Sequence, residues 1–351
     1  MRIAVTGATG NIGVRLVERL LGEAGVEQVV GLARRPPAEE TRPRVRWVSL
    51  DLGGDDAPAV LTRELAGVDV VVHLAWLIQP SHRPGLMRRA NVTGSSHLLR
   101  AVEQAGVPAL VHASSLGAYS PGPKRPVDES WATGGVPGSL YSAHKVEVER
   151  LLDTFQAGHP GVRVVRIRPT VVAQQEAAAE QARYFLGPLV PRALVRRSLL
   201  PVLPVPDGLT IQLVHAADIA DLFARAALEP SARGAYNGAA EPPLDPETLA
   251  GTLRARRVRV PAAALRAVVE LSWRAHLQPT DRGWIELALR SPLLDSSRAR
   301  EELGWAPTHA GTAVLLEALE RVSQGSGAPT PVLRAAVRPV RRLADGLRGR
   351  P

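Results

Sequence analysis

The chain has 351 residues, no cysteine and a formal net charge of +9. Its length is about twice the roughly 150 residues expected of one domain, so one large domain with a smaller appended one is predicted. Hydrophobic residues make up 45% and charged residues 22%, which excludes a disordered chain. The absence of cysteine excludes disulfides, thiolate metal sites and a cysteine nucleophile, and it favours a cytoplasmic protein over a secreted disulfide-rich one.

The positive charge comes almost entirely from arginine, because Lys124 and Lys145 are the only lysines. The arginines are spread along the chain, and aromatic residues make up only 4%, without the interleaving that builds a base-stacking surface. A nucleic-acid partner is therefore not expected. No apolar run reaches the roughly 18 to 20 residues of a membrane span, and a strand is predicted from Arg2 onward, so neither a membrane span nor a signal peptide is expected.

Short β-branched runs alternate with helical periods in the first 170 residues. Strands are predicted at residues 2–6, 28–33, 45–50, 70–74, 110–113 and 162–167, and helices at 11–21, 84–104 and 141–155. Apolar strands that alternate with helices indicate a parallel sheet covered on both faces. The predicted fold is α/β, a doubly wound parallel sheet.

The pattern is looser after about residue 175. Proline-rich connectors are predicted at residues 187–191 and 200–208, and helices at 217–228, 246–254, 261–275, 296–303 and 311–323. Residues 324–329 are typical of a linker. Beyond them, apolar residues at helical spacing among arginines predict a basic amphipathic tail at 332–347, which either packs on the domain or binds a membrane surface or partner.

A glycine-rich turn joins the first predicted strand to the first predicted helix. Gly7 allows the tight turn, Gly10 lets the backbone approach a pyrophosphate, and Gly13 lets the helix pack close to the strand. The free amides and the dipole of the helix would then face the phosphates. The turn predicts a dinucleotide site. Its predicted contacts are Gly7, Thr9, Gly10, Asn11, Ile12 and Gly13.

The end of the second strand distinguishes NADP from NAD. An NAD site carries an acidic residue there for the ribose 2′-hydroxyl. Here Ala33 is followed by Arg34 and Arg35, whose guanidinium groups suit a 2′-phosphate. NADP is therefore expected in preference to NAD, although the two arginines could instead solvate a strand end. Asp51 and Leu52, after the third strand, are expected at the adenine edge.

Tyr141 and Lys145 are four residues apart and share one helix face. The pKa of a free phenol is about 10, and a neighbouring ammonium is expected to lower the pKa of Tyr141 into the range of acid–base catalysis. Lys145 could also hold the nicotinamide ribose. Ser114 and Ser115 follow the predicted strand 110–113, which places hydroxyls at the carboxyl edge of the sheet, where ligands bind in such folds.

The chain resembles an extended short-chain dehydrogenase/reductase of the NAD-dependent epimerase/dehydratase family. The resemblance rests on the glycine turn, on the Tyr141-x-x-x-Lys145 motif, and on segments 73–76, 91–94, 114–115, 168–169, 214–218 and 303–307. It implies a Rossmann-type fold in which Ser115 is the catalytic serine, Tyr141 the acid/base and Lys145 its partner. It also implies that Asn91 belongs to the polar network of the site. The further cofactor contacts that it implies are Leu74, Ala75, Trp76, Pro169, Thr170 and Val171.

Three departures from the family pattern concern the substrate. Relatives that act on nucleotide sugars usually have an asparagine and a Gly-Pro where this chain has residues 170–173, and a diphosphate-binding arginine where it has Ile211. Sugar-nucleotide 4,6-dehydratases have Asp-Glu where it has Leu116 and Gly117. Residues 209–214 instead predict an apolar wall. The nine histidines show no ligand spacing, so a catalytic metal is not expected.

The sequence therefore predicts an NAD(P)-dependent oxidoreductase that acts on a carbonyl or alcohol of a small, fairly apolar molecule. A nucleotide-sugar epimerase or dehydratase is the first alternative, and a non-catalytic NADP-sensing protein is the second. Residues 1–175 are expected to bind NAD(P), with 209–237 returning to the sheet. Residues 176–323 are expected to form a smaller, mostly helical substrate-binding region, and 324–351 the linker and tail. A homodimer is possible in this family.

Overall fold

The computed structural model describes residues 1–38, 42–79, 81–174 and 201–324. Its strands are β1 (Arg2–Thr6), β2 (Gln28–Ala33), β3 (Val45–Ser49), β4 (Val70–His73), β5 (Ala109–Ala113), β6 (Pro126–Val127), β7 (Arg163–Pro169), β8 (Val171–Ala173), β9 (Val202–Val205), β10 (Leu213–His215), β11 (Gly234–Gly238), β12 (Arg256–Arg259) and β13 (Leu293–Leu294).

The helices follow the strands on both faces of the sheet and in the C-terminal region. They are α1 (Asn11–Leu21), α2 (Ala57–Leu65), α3 (Pro84–Arg88), α4 (Gly94–Gln104), α5 (Leu140–Gly158), α6 (Ala216–Leu228), α7 (Pro246–Leu253), α8 (Ala262–Arg274), α9 (Arg282–Arg290), α10 (Ser297–Leu303) and α11 (Gly311–Gln324). None of the helices in these ranges is both long and apolar enough to cross a lipid bilayer.

The central sheet has seven parallel strands in the order β3-β2-β1-β4-β5-β7-β11. The chain moves outward from β1 in one direction and then returns to β4 on its other side. The strand order thus reverses between β1 and β4, and ligands of such sheets bind at the carboxyl ends of the strands at this point. The predicted α/β class with a doubly wound parallel sheet is confirmed.

Both faces of the sheet are buried. Ile3 and Val5 of β1 pack with α1 and α6 on one face, and Ala4 between them packs with α2, α4 and α5 on the other, all three fully buried. Successive side chains of a strand point to opposite faces, so a strand covered on both sides reads as a continuous apolar run. This is why the strands of the first 170 residues could be predicted closely.

Two predicted elements differ in the structure. The helix predicted over 84–104 is divided into α3 and α4 by a π-helical turn at Arg89–Thr93, whose extra residue per turn the 3.6-residue period does not reveal. The connector predicted at 200–208 contains β9, which pairs in parallel with β12. Pro204 argued against a strand, but a two-stranded sheet leaves one edge of β9 free and tolerates a missing amide.

Other elements were absent from the sequence prediction, among them α2 and α9. The connector predicted at 187–191 and the tail predicted at 332–347 lie outside the described residues. Helix α11 extends to Gln324, the first residue of the predicted linker, and the rest of that linker also lies outside them.

Candidate active site

A cavity of about 690 Å³ lies at the carboxyl ends of the parallel strands. The segments that follow β1, β2, β4 and β5 all contribute to its wall, as expected at the switch point of a doubly wound sheet. Every predicted site residue except Asn91 lines this one cavity. These residues are Gly7, Thr9, Gly10, Asn11, Ile12, Gly13, Arg34, Arg35, Asp51, Leu52, Leu74, Ala75, Trp76, Ser115, Tyr141, Lys145, Pro169, Thr170 and Val171.

The glycine turn after β1 forms a cradle that side chains would fill. Gly7 has a φ of +70°, and a Cβ on it would lie 2.8 Å from the backbone of Ala75. A Cβ on Gly13 would lie 2.2 Å from the carbonyl oxygen of Gly7. Gly10 is the N-cap of α1, and it has no side chain that could accept hydrogen bonds from the first amides of the helix. These amides lie at the cavity and are free to bind a ligand.

The side chain of Asn11 is only half satisfied at this turn. Its amide nitrogen donates to the carbonyl of Val172 at 3.1 Å, while its buried Oδ1 has no hydrogen-bond partner among the described residues. An unpaired buried acceptor beside uncapped helix amides suits a bound molecule that has both hydroxyl and phosphate groups. The cradle therefore fits a dinucleotide.

The two arginines after β2 lie at the edge of the cavity. Arg34 is exposed, and its carbonyl accepts a hydrogen bond from the hydroxyl of Ser49 at the end of β3. Asp51 accepts the amide of Gly53 at 3.1 Å, which fixes the turn after β3. Arg34, Arg35 and Asp51 thus line the same part of the cavity, at the ends of β2 and β3.

Tyr141 lies in the first turn of α5, against the turn at residues 116–118. The hydroxyl of Ser139 caps α5 by accepting the amide of Ser142, and the hydroxyl of Ser142 donates to the carbonyl of Gly117. A Cβ on Gly117 would lie 2.9 Å from the ring of Tyr141. Gly117 is therefore needed for the close approach of Tyr141, a role that the sequence did not reveal.

Ser115 lies beside Tyr141, with its hydroxyl accepting the amide of Gly117 at 3.0 Å. Burial raises the pKa of Tyr141 to about 12, and a hydrogen bond with Ser115 opposes that rise. The sequence analysis predicted that Lys145 would lower this pKa, and in the structure it does not. Burial is the larger cause of the shift and outweighs the hydrogen bond with Ser115, while the Nζ of Lys145, 5.8 Å from the ring centroid of Tyr141, donates to the carbonyl of Ala113.

Lys145 is 2% exposed and interacts with the end of β5. Its Nζ donates to the carbonyl oxygen of Ala113 at 2.8 Å and lies 3.4 Å from the ring centroid of Trp76. Burial lowers the pKa of Lys145 well below its usual value, and the charge of Glu149 opposes this. Trp76 therefore covers the ammonium of Lys145, the group that the sequence analysis predicts to bind the nicotinamide ribose.

A buried ion pair lies behind the catalytic candidates. The carboxylate of Glu149, one turn after Lys145 on α5, accepts hydrogen bonds from the hydroxyl of Ser114 at 2.5 Å and from Nε of Arg168 at 2.9 Å. Arg166 adds a contact to the same carboxylate at 3.0 Å. Burial raises the pKa of Glu149, but the bonds and charge of Arg168, with Ser114 and Arg166, outweigh it and lower the pKa overall. The network ties the end of β5, and with it Ser115, to α5.

Asn91 does not line the cavity. It lies in the π-helical turn, 1% exposed, and its side chain accepts the amide of Leu77 at 2.7 Å and donates to the carbonyl of Leu77 at 2.9 Å. Leu77 itself lines the cavity. In this structure Asn91 therefore shapes the loop after β4, and its membership in the polar network of the site remains only an implication of the resemblance.

The sequence analysis did not predict most of the residues at the other end of the cavity. Thr210, Ile211, Gln212 and Leu213 line it, and they belong to the wall predicted at 209–214. The sequence had no signal for the remaining residues, because they come from loops and helices that only tertiary packing brings together. They include Lys124, Trp284, Ile285, Leu287, Ala288, Ser291, Leu293, Leu315 and Ala318. Within the described ranges, no three His, Asp or Glu side chains cluster as metal ligands would.

The sequence model of the NAD dependent epimerase/dehydratase family matches residues 3–238, about two thirds of the chain. The chain belongs to this family of extended short-chain dehydrogenases/reductases. The family match includes the glycine turn, Ser115, Tyr141 and Lys145, but ends before α9, which closes the other end of the cavity.

Two curated relatives extend the similarity beyond the family match. A Stigmatella aurantiaca protein named 4-hydroxy-2-methyl-3-oxo-4-farnesyl-3,4-dihydroquinoline-1-oxide ketoreductase is 28% identical over 323 residues, covering 87% of this chain and 92% of that protein. An uncharacterized Mycobacterium tuberculosis protein is 27% identical over 308 residues. That match covers 88% of this chain but only 28% of the mycobacterial protein, so this chain spans less than a third of that relative's length.

Among solved structures, the dTDP-glucose 4,6-dehydratase of Streptomyces venezuelae, determined with NAD bound, aligns with a TM-score of 0.69 and 22% identity. The alignment covers 92% of this chain and 97% of that chain. At this level of identity, the likeness concerns the fold.

Proposed function

We propose that the protein is an NAD(P)-dependent oxidoreductase that transfers hydride between a nicotinamide cofactor and a carbonyl or alcohol of a small, largely apolar molecule. The observation that carries this proposal is the shared cavity of Ser115, Tyr141 and Lys145 with the glycine turn. Residues 1–175, with 209–237, would bind the cofactor, and residues 176–323 the substrate. The nicotinamide chemistry also agrees with the family and with the NAD bound in the related dehydratase.

The cofactor is proposed to be NADP rather than NAD. Its pyrophosphate would bind at Gly10 and the first amides of α1, and its 2′-phosphate at Arg34 and Arg35. The absence of an acidic residue at the end of β2 supports this choice, because an NAD site needs an acceptor for the 2′-hydroxyl. When bound, the cofactor would supply or accept the hydride at the carbon of the reacting group.

The side chains of the site would complete the reaction at the oxygen. As the carbonyl carbon receives the hydride, the oxygen would take the hydroxyl proton of Tyr141, and the resulting phenolate would regain a proton from solvent. Ser115 would donate a hydrogen bond to the same oxygen. Burial raises the pKa of Tyr141 to about 12, so the phenol carries the proton to be donated at neutral pH.

The wall around Tyr141 supports an apolar substrate. Trp284 lies 5.0 Å from Tyr141 between ring centroids, and Ile211, Leu287 and Leu293 line the same region. A nucleotide-sugar diphosphate needs several cationic or amide partners. Relatives that bind such sugars usually have an arginine at the position of Ile211 and an asparagine within residues 170–173, and this chain has neither. The Stigmatella relative named as a ketoreductase also supports a carbonyl substrate.

The proposal is tested by mixing the purified full chain with NADPH and a panel of aromatic and aliphatic ketones and aldehydes, and by following NADPH oxidation at 340 nm. Net oxidation that depends on the carbonyl compound is expected. A protein that retains bound cofactor through purification and interconverts UDP-sugars without net oxidation would instead be an epimerase. Tight NADPH binding with no turnover of either class would favour the cofactor-sensing alternative.

A further inference from the structure

Lys124 brings an ammonium group to the wall of the cavity without a carboxylate partner. It follows the turn after Ser115, and its Nζ donates to the carbonyl oxygens of Ala288 at 2.7 Å and Ser291 at 2.8 Å. Neither acceptor carries a charge, and no described Asp or Glu forms an ion pair with Lys124. An ammonium has three donors, so these bonds leave one for another group.

Ser291 provides a second unsatisfied donor beside it. The residue is 2% exposed and lines the same cavity, and its buried Oγ has no hydrogen-bond partner among the described residues. The carbonyl of this same residue accepts the bond from Lys124, so the two donors are neighbours. Buried hydroxyls are normally paired, and the cost of an unpaired one favours a bound acceptor at this position.

The rest of this end of the cavity is apolar. Among the described lining residues, the charged side chains other than Lys124 are Arg34, Arg35 and Asp51 at the edge beyond β2 and β3, and Lys145 beneath Trp76. The lining residues that α9 and the segment around β10 contribute are largely apolar. One isolated cation in an apolar wall matches a ligand with one negative charge and an apolar body.

Building on the proposed function, we propose that Lys124 and Ser291 form a subsite for a singly charged oxygen anion, of which a carboxylate is the simplest, at the end of the substrate remote from the reacting carbonyl. The substrate class is thus an apolar oxo or hydroxy acid. Lys124 would bind the anion with its charge, and Ser291 would orient it with a directional hydrogen bond. The burial that lowers the pKa of Lys124 to about 8 leaves it largely charged at pH 7.

The alternative is a purely structural role. Ala288 and Ser291 lie at the end of α9, where an ammonium satisfies free carbonyls and interacts favourably with the helix dipole. The two roles differ in one measurable property. A structural lysine changes the stability of the fold, but it does not make the cavity distinguish a carboxylate from an uncharged amide of the same shape.

The experiment measures the binding of octanoate and octanamide to the full chain by isothermal titration calorimetry at pH 7, with and without NADP⁺. Hexanoate and decanoate with their amides cover other distances along the cavity. We expect at least one carboxylate to bind about tenfold or more tightly than its amide, as a charge-assisted hydrogen bond implies. Lys124→Met should abolish this preference and leave the amide affinity unchanged.

Two further variants separate the subsite from effects on folding. Ser291→Ala, which loses one hydroxyl, should reduce the carboxylate preference several-fold, and Lys124→Arg, which keeps the charge and the donors to α9, should retain part of it. Arg125→Met is the matched control, because it removes an exposed charge from the adjacent residue and should leave the preference intact.

Equal binding of every acid and its amide by the unmodified protein would overturn the proposal, as would a preference that survives Lys124→Met. These outcomes do not depend on turnover. A carboxylate preference in a protein that oxidises no NADPH would therefore retain the subsite and reject the proposed reaction, whereas NADPH oxidation without such a preference would do the opposite.

Discussion

The ammonium of Lys145 lies 3.4 Å from the ring centroid of Trp76, on the loop that follows β4. A cation over an indole face is stabilised by about 0.5 to 2 kcal/mol, and in this pair Lys145 is 2% exposed while Trp76 is partly buried. Ala113 occupies another side of the same ammonium through its carbonyl. Ribose hydroxyls that bind Lys145 would therefore have to share this group with the indole or displace it.

This contact predicts that cofactor binding changes the emission of Trp76. A titration with NADP⁺, which does not absorb at the emission wavelength, should quench or shift the tryptophan fluorescence of the unmodified protein. Trp76→Phe should remove most of that change. Trp273→Phe is the matched control, because Trp273 contacts Ser81 and does not line the cavity. If the change persists in full in Trp76→Phe, it comes from another tryptophan such as Trp284, which also lines the cavity, and this prediction for Trp76 is wrong.

The arginines after β2 predict the choice between cofactors. One charge-assisted bond to the 2′-phosphate contributes about 1.5 to 3 kcal/mol, so NADPH should bind at least about tenfold more tightly than NADH. Ala33→Asp combined with Arg34→Ala should reverse the preference, because it introduces an acceptor for the 2′-hydroxyl and removes a cation. The dissociation constants can be measured by calorimetry.

Arg100→Ala is the control for that substitution, since Arg100 is exposed on α4 and outside the cavity. It should leave both dissociation constants unchanged. Equal affinities for NADPH and NADH in the unmodified protein would show that Arg34 and Arg35 only solvate the end of β2.

The pair of Glu149 and Arg168 predicts a pH-dependent contribution to stability. Glu149 is 2% exposed, and removing one partner of a buried ion pair costs about 3 to 5 kcal/mol, so Glu149→Gln should lower the free energy of unfolding by that order. Glu147→Gln, which removes the partly exposed partner of Arg88 on α5, should cost about 1 kcal/mol or less. Urea denaturation at pH 7 measures both.

The sign of the pH effect follows from the lowered pKa of Glu149. Burial opposes that lowering, and the bonds and charge of Arg168 outweigh it. The folded state thus binds this proton less readily than the unfolded state, so the stabilisation is complete above the ordinary glutamate pKa of about 4.5 and is lost as the pH falls through the lower folded value. The difference in stability between the unmodified protein and Glu149→Gln should therefore shrink below pH 4.5, and a constant difference would contradict this account.

The sequence predicted the cofactor side of the cavity far better than the substrate side. Gly7, Gly10 and Gly13 are close in sequence and act through their own backbone, so their role follows from local pattern. Lys124, in contrast, contacts residues that are 164 and 167 positions away, and no periodicity relates them. The pKa of Tyr141 was predicted in the wrong direction for a similar reason, because spacing on α5 places Lys145 near it but does not reveal how deeply the phenol is buried, and burial is the main cause of the rise.

The hydroxyl of Tyr141 should be essential for turnover and dispensable for folding and cofactor binding. Tyr141→Phe removes only this hydroxyl, and loss of a general acid typically reduces turnover by about 10² to 10⁴-fold. Because the pKa of Tyr141 is about 12, the phenol stays protonated between pH 6 and 9, and the rate of carbonyl reduction should not fall across this range through its ionisation. Oxidation of the corresponding alcohol needs the phenolate, so its rate should rise with pH instead.

These rates are measured as kcat with NADPH or NADP⁺ and a carbonyl compound identified from the panel, together with cofactor dissociation constants. Lys145→Met should weaken cofactor binding, and Lys145→Arg should restore little, since a planar guanidinium does not replace a compact ammonium. Tyr236→Phe is the matched control: it removes another tyrosine hydroxyl, one that donates to Glu302 away from the cavity, and it should leave kcat unchanged. If Tyr141→Phe turns over as fast as the unmodified protein, the proton comes from another group, and Tyr141 is not the acid of this site.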